Sequence, residues 1–151
     1  DPKDEERSVV FVATGTGVAP FKAMAESNLF QDHKPKSATM LLGVRHEEDI
    51  VYSQVFEALG VQEIHAVSQP KGEFNGFEGR VTDFLRLATT QFSWQSTDFY
   101  LCGNAEMIHE TREVLMSQHG VPPTSIKQES FTGIVKSIQK PFKPVLLPKA
   151  A

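Results

Sequence analysis

The sequence holds a single cysteine, Cys102, in 151 residues. No internal disulfide can form, and a cysteine-built zinc or iron-sulfur cluster would need ligands that this chain does not carry. Positive charge is also in short supply: 15 Lys and Arg stand against 19 Asp and Glu, a formal net charge of −4, which argues against a chain that wraps phosphate backbones through bulk electrostatics. Nucleic acid is not an expected partner. No apolar run approaches membrane-spanning length, and the start, DPKDEERS, is acidic where a secretion signal needs a basic end and an apolar stretch. A cytoplasmic protein without a membrane span is the expectation. The five histidines show no H-E-x-x-H or comparable spacing, so no metal site is expected either.

What remains is globular in composition, and its length suits one domain better than two. Short β-branched or aromatic runs recur: SVVFVA (8–13), ATMLLGV (38–44), IHAVS (64–68), DFYLCG (98–103) and SIKQES (125–130). Segments of helical length separate them, the signature of parallel β-α units. The first helix is expected to start near Gly17 or Val18 and to end before DHKPK. The second is expected to carry EED at its start, Ile50, Val51, Val55, Phe56 and Leu59 on one stripe, and Gly60 as its stop. A third follows the loop QPKGEFNGFEG and uses Val81, Phe84, Leu85 and Ala88; the fourth runs from a cap at Asn104 to about Gln118. The predicted fold is a doubly wound, Rossmann-like, three-layer α/β/α domain with five parallel strands. Ligands of such sheets sit beyond the carboxyl ends of the strands, where strand order reverses.

The stretch VFVATGTGVAP (10–20) passes from an apolar strand into two glycines and then a proline. Gly15 and Gly17 would let the backbone approach a bulky ligand while helix N-H groups face its phosphates. Pro20 replaces the third glycine of the usual dinucleotide fingerprint, so by itself the loop also fits a mere tight turn. Further motifs follow in order: LLGVRHEEDIVY (41–52), GRVTDFL (79–85), YLCGNAEMI (100–108) and IKQESF (126–131). With ATGTGVAPF, these resemble the nucleotide domain of the ferredoxin-NADP reductase family over about residues 8–131.

The resemblance implies a NAD(P)-binding domain over residues 1–131, followed by an extended tail at 132–151. It implies that Thr14, Gly15, Thr16, Gly17, Val18 and Pro20 receive the pyrophosphate and nicotinamide side of NAD(P)H and face a flavin. Arg45 would hold a 2′-phosphate or pack over adenine, with a bland alternative of pairing to Glu47 or Glu48. Ser68, Gln69 and Arg80 belong to the same region, and Gln69 stands where NADPH-preferring relatives often carry arginine, which tilts an open choice toward NADH. Cys102, Gly103 and Asn104 would lie by the nicotinamide, with Met107 near the adenosine. Glu129 and Phe131 would approach the flavin, so that Thr16, Cys102 and Glu129 are the expected catalytic residues. FAD itself is expected to be held mainly by a domain or subunit outside this chain, because only seven residues precede the first strand and no arginine-x-tyrosine-serine/threonine motif occurs. Electrons would pass on to an iron-sulfur or haem partner. A non-catalytic nucleotide-binding or regulatory module is the alternative; a methyltransferase would want an acid where Arg45 stands.

Overall fold

The computed structural model describes residues 6–131. The predicted tail, 132–151, lies outside them. Six strands form one parallel sheet: β1 (Ser8–Thr14), β2 (Ala38–Val44), β3 (Gln62–Val67), β4 (Phe77–Glu78), β5 (Thr97–Asn104) and β6 (Ile126–Phe131), in the order β4-β3-β2-β1-β5-β6. The chain builds outward from β1 to β4, then crosses to the other side of β1 for β5 and β6. Strand order therefore reverses at β1/β5, and a crevice opens there on the carboxyl edge.

Alternation along the strands feeds two cores. Val10, Val12, Leu41, Phe99 and Leu101 point to one face, where α4 (Val81–Leu87) and α5 (Ala105–Glu113) cover them with Phe84, Leu85, Met107 and Ile108. Phe11, Ala13, Met40, Leu42, Tyr100 and Cys102 point to the other, under α1 (Val18–Glu26), α2 (Asn28–Asp32) and α3 (Ser53–Ala58). A sheet buried on both faces requires near-continuous apolar strands, which is what β1, β2 and β5 supply. The sheet is also tied at its amino edge, where Arg7 donates from Nε (3.0 Å) and from Nη2 (2.8 Å) to the two oxygens of Asp98.

Three expectations are corrected. The sheet has six strands rather than five: Phe77 and Glu78 pair with Ala66 and Val67 inside the segment read as a loop. A two-residue strand has no period to read, and only β3 beside it makes it one. The first helix is broken at Ser27, whose extended backbone (ψ 145°) and hydroxyl, accepting from Phe30 N at 3.2 Å, start a separate α2. The second expected helix is a short 3-10 turn over Glu47–Asp49, and α3 begins only after Tyr52. Val51 is consequently 42% exposed instead of lying on the buried stripe. The π-helical turn Val114–Gln118 that continues α5 ends where the fourth helix was expected to stop.

Candidate functional site

A cleft of about 860 Å³ opens along the carboxyl edge of the sheet. That is within the usual size of a small-molecule or cofactor site. Its floor is made by strand ends: Thr14 of β1, Gly43 and Val44 of β2, Ala66 of β3 and Asn104 of β5. Its walls come from the turn Gly15–Gly17 with the start of α1, from the segment 45–52, and from the first turns of α4 and α5.

The glycine turn is built by close packing. Gly17 has ordinary helical angles (φ −60°, ψ −13°), so its lack of a side chain is not about turning. A Cβ there would overlap the carbonyl oxygen of Cys102 and lie 2.7 Å from its carbon, so the bare residue lets α1 sit directly on the end of β5. Gly15 differs: its φ is +54° and nothing lies within 4 Å of where its Cβ would be. Here the missing side chain leaves an open strip of main chain facing the cleft. No acidic residue occupies the first turn of α1, so the positive end of its dipole would meet an anionic ligand unopposed. Pro20, third in the helix, costs nothing because that turn has no N-H partner to lose.

Across the cleft, hydrogen bonds continue the β2–β3 pairing past the strand ends. Ser68 N donates to Val44 O (3.0 Å) and Gln69 N to Arg45 O (2.8 Å), while His46 Nδ1 lies 2.7 Å from Gln69 O. These fix Arg45 beside Ser68. Glu48 is engaged by Lys71 Nζ at 2.7 Å, and Glu47 accepts Lys71 N. The bland pairing for Arg45 is thus not formed, and neither Arg45 nor Arg80 has an ion pair among the described residues. Two guanidinium groups without a described carboxylate partner therefore line one cleft, with a helix amino end on its far side.

Thr14, Gly15, Thr16, Val18, Arg45, Ser68, Arg80, Asn104 and Met107 all line this cleft. Asn104 also accepts Met107 N at 2.8 Å, capping α5 and holding its first turn against the floor. Gly17 and Gly103 are buried behind the floor, and Pro20 and Gln69 do not line it. Cys102, expected beside the reacting ring, does not line this cleft. Its side chain is fully buried among Val18, Phe21 and Tyr100, because alternation along β5 turns position 102 toward α1 rather than out of the sheet edge. Burial, and then the charge of Glu129, push its thiol up to about 12, so it stays protonated and unreactive. Glu129 lies half-buried on β6 opposite Cys102, away from the cleft lining. Phe131 is the last described position, opposite Asn104 in the backbone register; its side chain lies outside the described residues.

Sequence reasoning missed four cleft carboxylates, Glu48, Asp49, Glu106 and Glu110, and the aromatic Tyr52. The two helical turns at 106 and 110 carried a signal, since residues four apart share a helix face. No group of His, Cys, Asp and Glu among the described residues has metal-binding geometry, and no described helix is long and apolar enough to cross a membrane.

Residues 11–113 match the family described as oxidoreductase NAD-binding domain. Among curated proteins, the chain is 30% identical over 131 residues to ferredoxin–NADP reductase B of Sorangium cellulosum, covering 81% of this chain and 53% of that protein. It is 27% identical over 145 residues to the chloroplastic leaf-type ferredoxin–NADP reductase of Nicotiana tabacum, covering 85% and 40%. The chain thus spans about half or less of the length of these relatives. Among solved structures, a cytochrome P450 reductase of Amycolatopsis superposes with a TM-score of 0.71 at 23% identity, covering 87% of this chain and 40% of that one. The glycine turn at the reversal of strand order, the cleft above it and the family match over most of the chain agree: this chain belongs to the oxidoreductase NAD-binding domain family.

Proposed function

We propose that the chain is the NAD(P)H-binding part of a flavin-dependent oxidoreductase. The observation that carries this reading is the open main chain at Gly15 and Thr16 with Arg45 and Arg80, neither of them ion-paired among the described residues, lining the same cleft. A dinucleotide has a doubly negative pyrophosphate between two planar ends, and the residues present fit it. The amino end of α1 and the Thr16 main chain take the phosphates; Arg45 and Arg80 take the outer anionic or aromatic end. When bound, the reduced nicotinamide supplies a hydride to a flavin held by a domain or subunit other than the residues described here. Thr14, Thr16 and Asn104 orient the ring's polar edge, and Met107 forms part of the cleft lining toward the adenosine. Cys102 acts through its main chain, as the seat for Gly17. Ferredoxin–NADP reductases and the toluate 1,2-dioxygenase electron transfer component of Pseudomonas putida are among the relatives, which supports onward transfer of electrons to an iron-sulfur or haem partner.

Calorimetric titration with NADH and NADPH tests the reading. Saturable binding that disappears in Thr16→Pro is expected, together with negligible flavin reduction by the chain alone. Absence of binding at millimolar nucleotide would leave a non-catalytic module of the same fold.

A further inference from the structure

Tyr52 is the one non-glycine residue with positive φ among the described residues (φ 60°, ψ 19°). A bulky side chain rarely takes this left-handed conformation, and such strain persists where the surroundings enforce it, often at ligand sites. The enforcement is visible here. The Tyr52 carbonyl accepts Val55 N (2.9 Å) and Phe56 N (3.4 Å) to begin α3, and Phe56 is fully buried. Asparagine would take the same turn with less strain, so helix initiation alone does not account for a tyrosine.

The ring has a location that does account for it. Tyr52 lines the cleft, is 40% exposed, and its hydroxyl makes no hydrogen bond among the described residues. Lys22 of α1, itself bonded to Glu26 at 2.7 Å, places Nζ 5.4 Å from the ring centroid. A cation at that distance is attracted to the ring and restricts its rotation. An exposed aromatic is thus held in place at the rim of a site, with no polar task of its own. It stands three residues beyond Asp49, in the segment that follows β2. In doubly wound dinucleotide folds the end of the second strand meets the adenosine ribose.

We propose that Tyr52 stacks on the adenine ring of the bound nucleotide, its left-handed backbone setting the ring at the cleft wall and Lys22 holding it there. This rests on the NAD(P)H reading above. The probes are AMP, nicotinamide mononucleotide and NADH, titrated calorimetrically into the full chain and its variants, with thermal melts alongside. Tyr52→Asn removes the ring and suits the backbone. Its Tm is expected within about 2 °C of the parent or above it, while affinity for AMP and NADH falls about tenfold. Tyr52→Phe keeps the ring and is expected to bind AMP within about twofold of the parent, and nicotinamide mononucleotide should bind all three proteins alike. Unchanged AMP affinity in Tyr52→Asn would overturn the proposal, as would a loss confined to nicotinamide mononucleotide, an equal loss in Tyr52→Phe, or a large fall in Tm. A parent chain that binds no nucleotide at all would instead remove the NAD(P)H reading, and the proposal with it.

Discussion

Replacing Gly17 with alanine separates two accounts of the glycine turn, because they differ in sign. On conformation alone the change should help: φ is −60° and ψ −13°, and alanine in a compatible backbone gains roughly 0.4–1 kcal/mol by restricting the unfolded chain. Packing says the opposite. The new methyl would overlap the Cys102 carbonyl oxygen, with the carbonyl carbon at 2.7 Å and Gly103 N at 3.1 Å. All three atoms are main chain in the centre of the sheet, so no side chain can rotate away. Overpacking costs roughly 1–3 kcal/mol, and backbone against backbone belongs at the upper end, leaving a net loss of about 2 kcal/mol. For a chain of this size that lowers Tm by about 4–8 °C. Gly15→Ala is the control. Its Cβ meets nothing within 4 Å, so it pays only for φ +54°, about 1 kcal/mol, yet its methyl stands in the strip proposed to receive the nucleotide. Thermal melts and NADH titrations should therefore cross: Gly17→Ala loses more stability, and Gly15→Ala loses more affinity per unit of stability. A Gly17→Ala variant that melts at or above the parent temperature would refute the seating of α1 on Cys102.

Glu63 and His65 offer a pH test on the face of β3 that turns toward α3. Burial, then the charge of Glu57, raise Glu63 to about 7, whereas burial lowers His65, whose Nε2 has no hydrogen-bond partner and lies 3.6 Å from Glu63 Oε1. A raised carboxyl contributes stability that is present below its unfolded value of 4.5 and lost as pH rises through about 7. The His65 shift acts in the other direction, losing stability as pH falls below its ordinary range. Glu63→Gln should accordingly raise Tm at pH 8, by an amount worth about 1–3 kcal/mol, and leave it nearly unchanged at pH 4.5; equal gains at both pH values would be inconsistent with a desolvated carboxyl. Cys102 should resist iodoacetamide at pH 7.5 in the folded chain and react fully in urea, and rapid labelling of the folded chain would show the thiol to be accessible after all. Asn104→Ala should cost about 1 kcal/mol through the lost cap, measured by urea unfolding, whereas Asn104→Asp keeps the cap and adds a charge that weakens nucleotide binding; matching stability losses would place Asn104 outside the capping role.

Much of this protein is legible in the local chemistry of its sequence. The β-branched runs at 8–13 and 38–44 and the aromatic run at 98–103 read as buried strands, and the helical stripe at Val81, Phe84 and Leu85 reads as a face packed on a sheet. The glycine turn, the Asn104 cap and the position of Arg45 after a strand follow from residue types that suit one backbone role each. Distance in three dimensions decided the rest. Phe77 and Glu78 become a strand because β3 ends beside them, and Ser27 ends a helix that periodicity would have continued. Cys102 faces the core rather than the cleft because the alternation of β5 meets α1 on that side, which no count along the chain reveals. Tyr52 and the four carboxylates reach the cleft only because strand order reverses at β1, bringing loops from both halves of the chain to one edge. Periodicity and capping act over a few residues and are written locally; the composition of a site depends on which strand ends become neighbours, and that is settled by packing of the whole sheet.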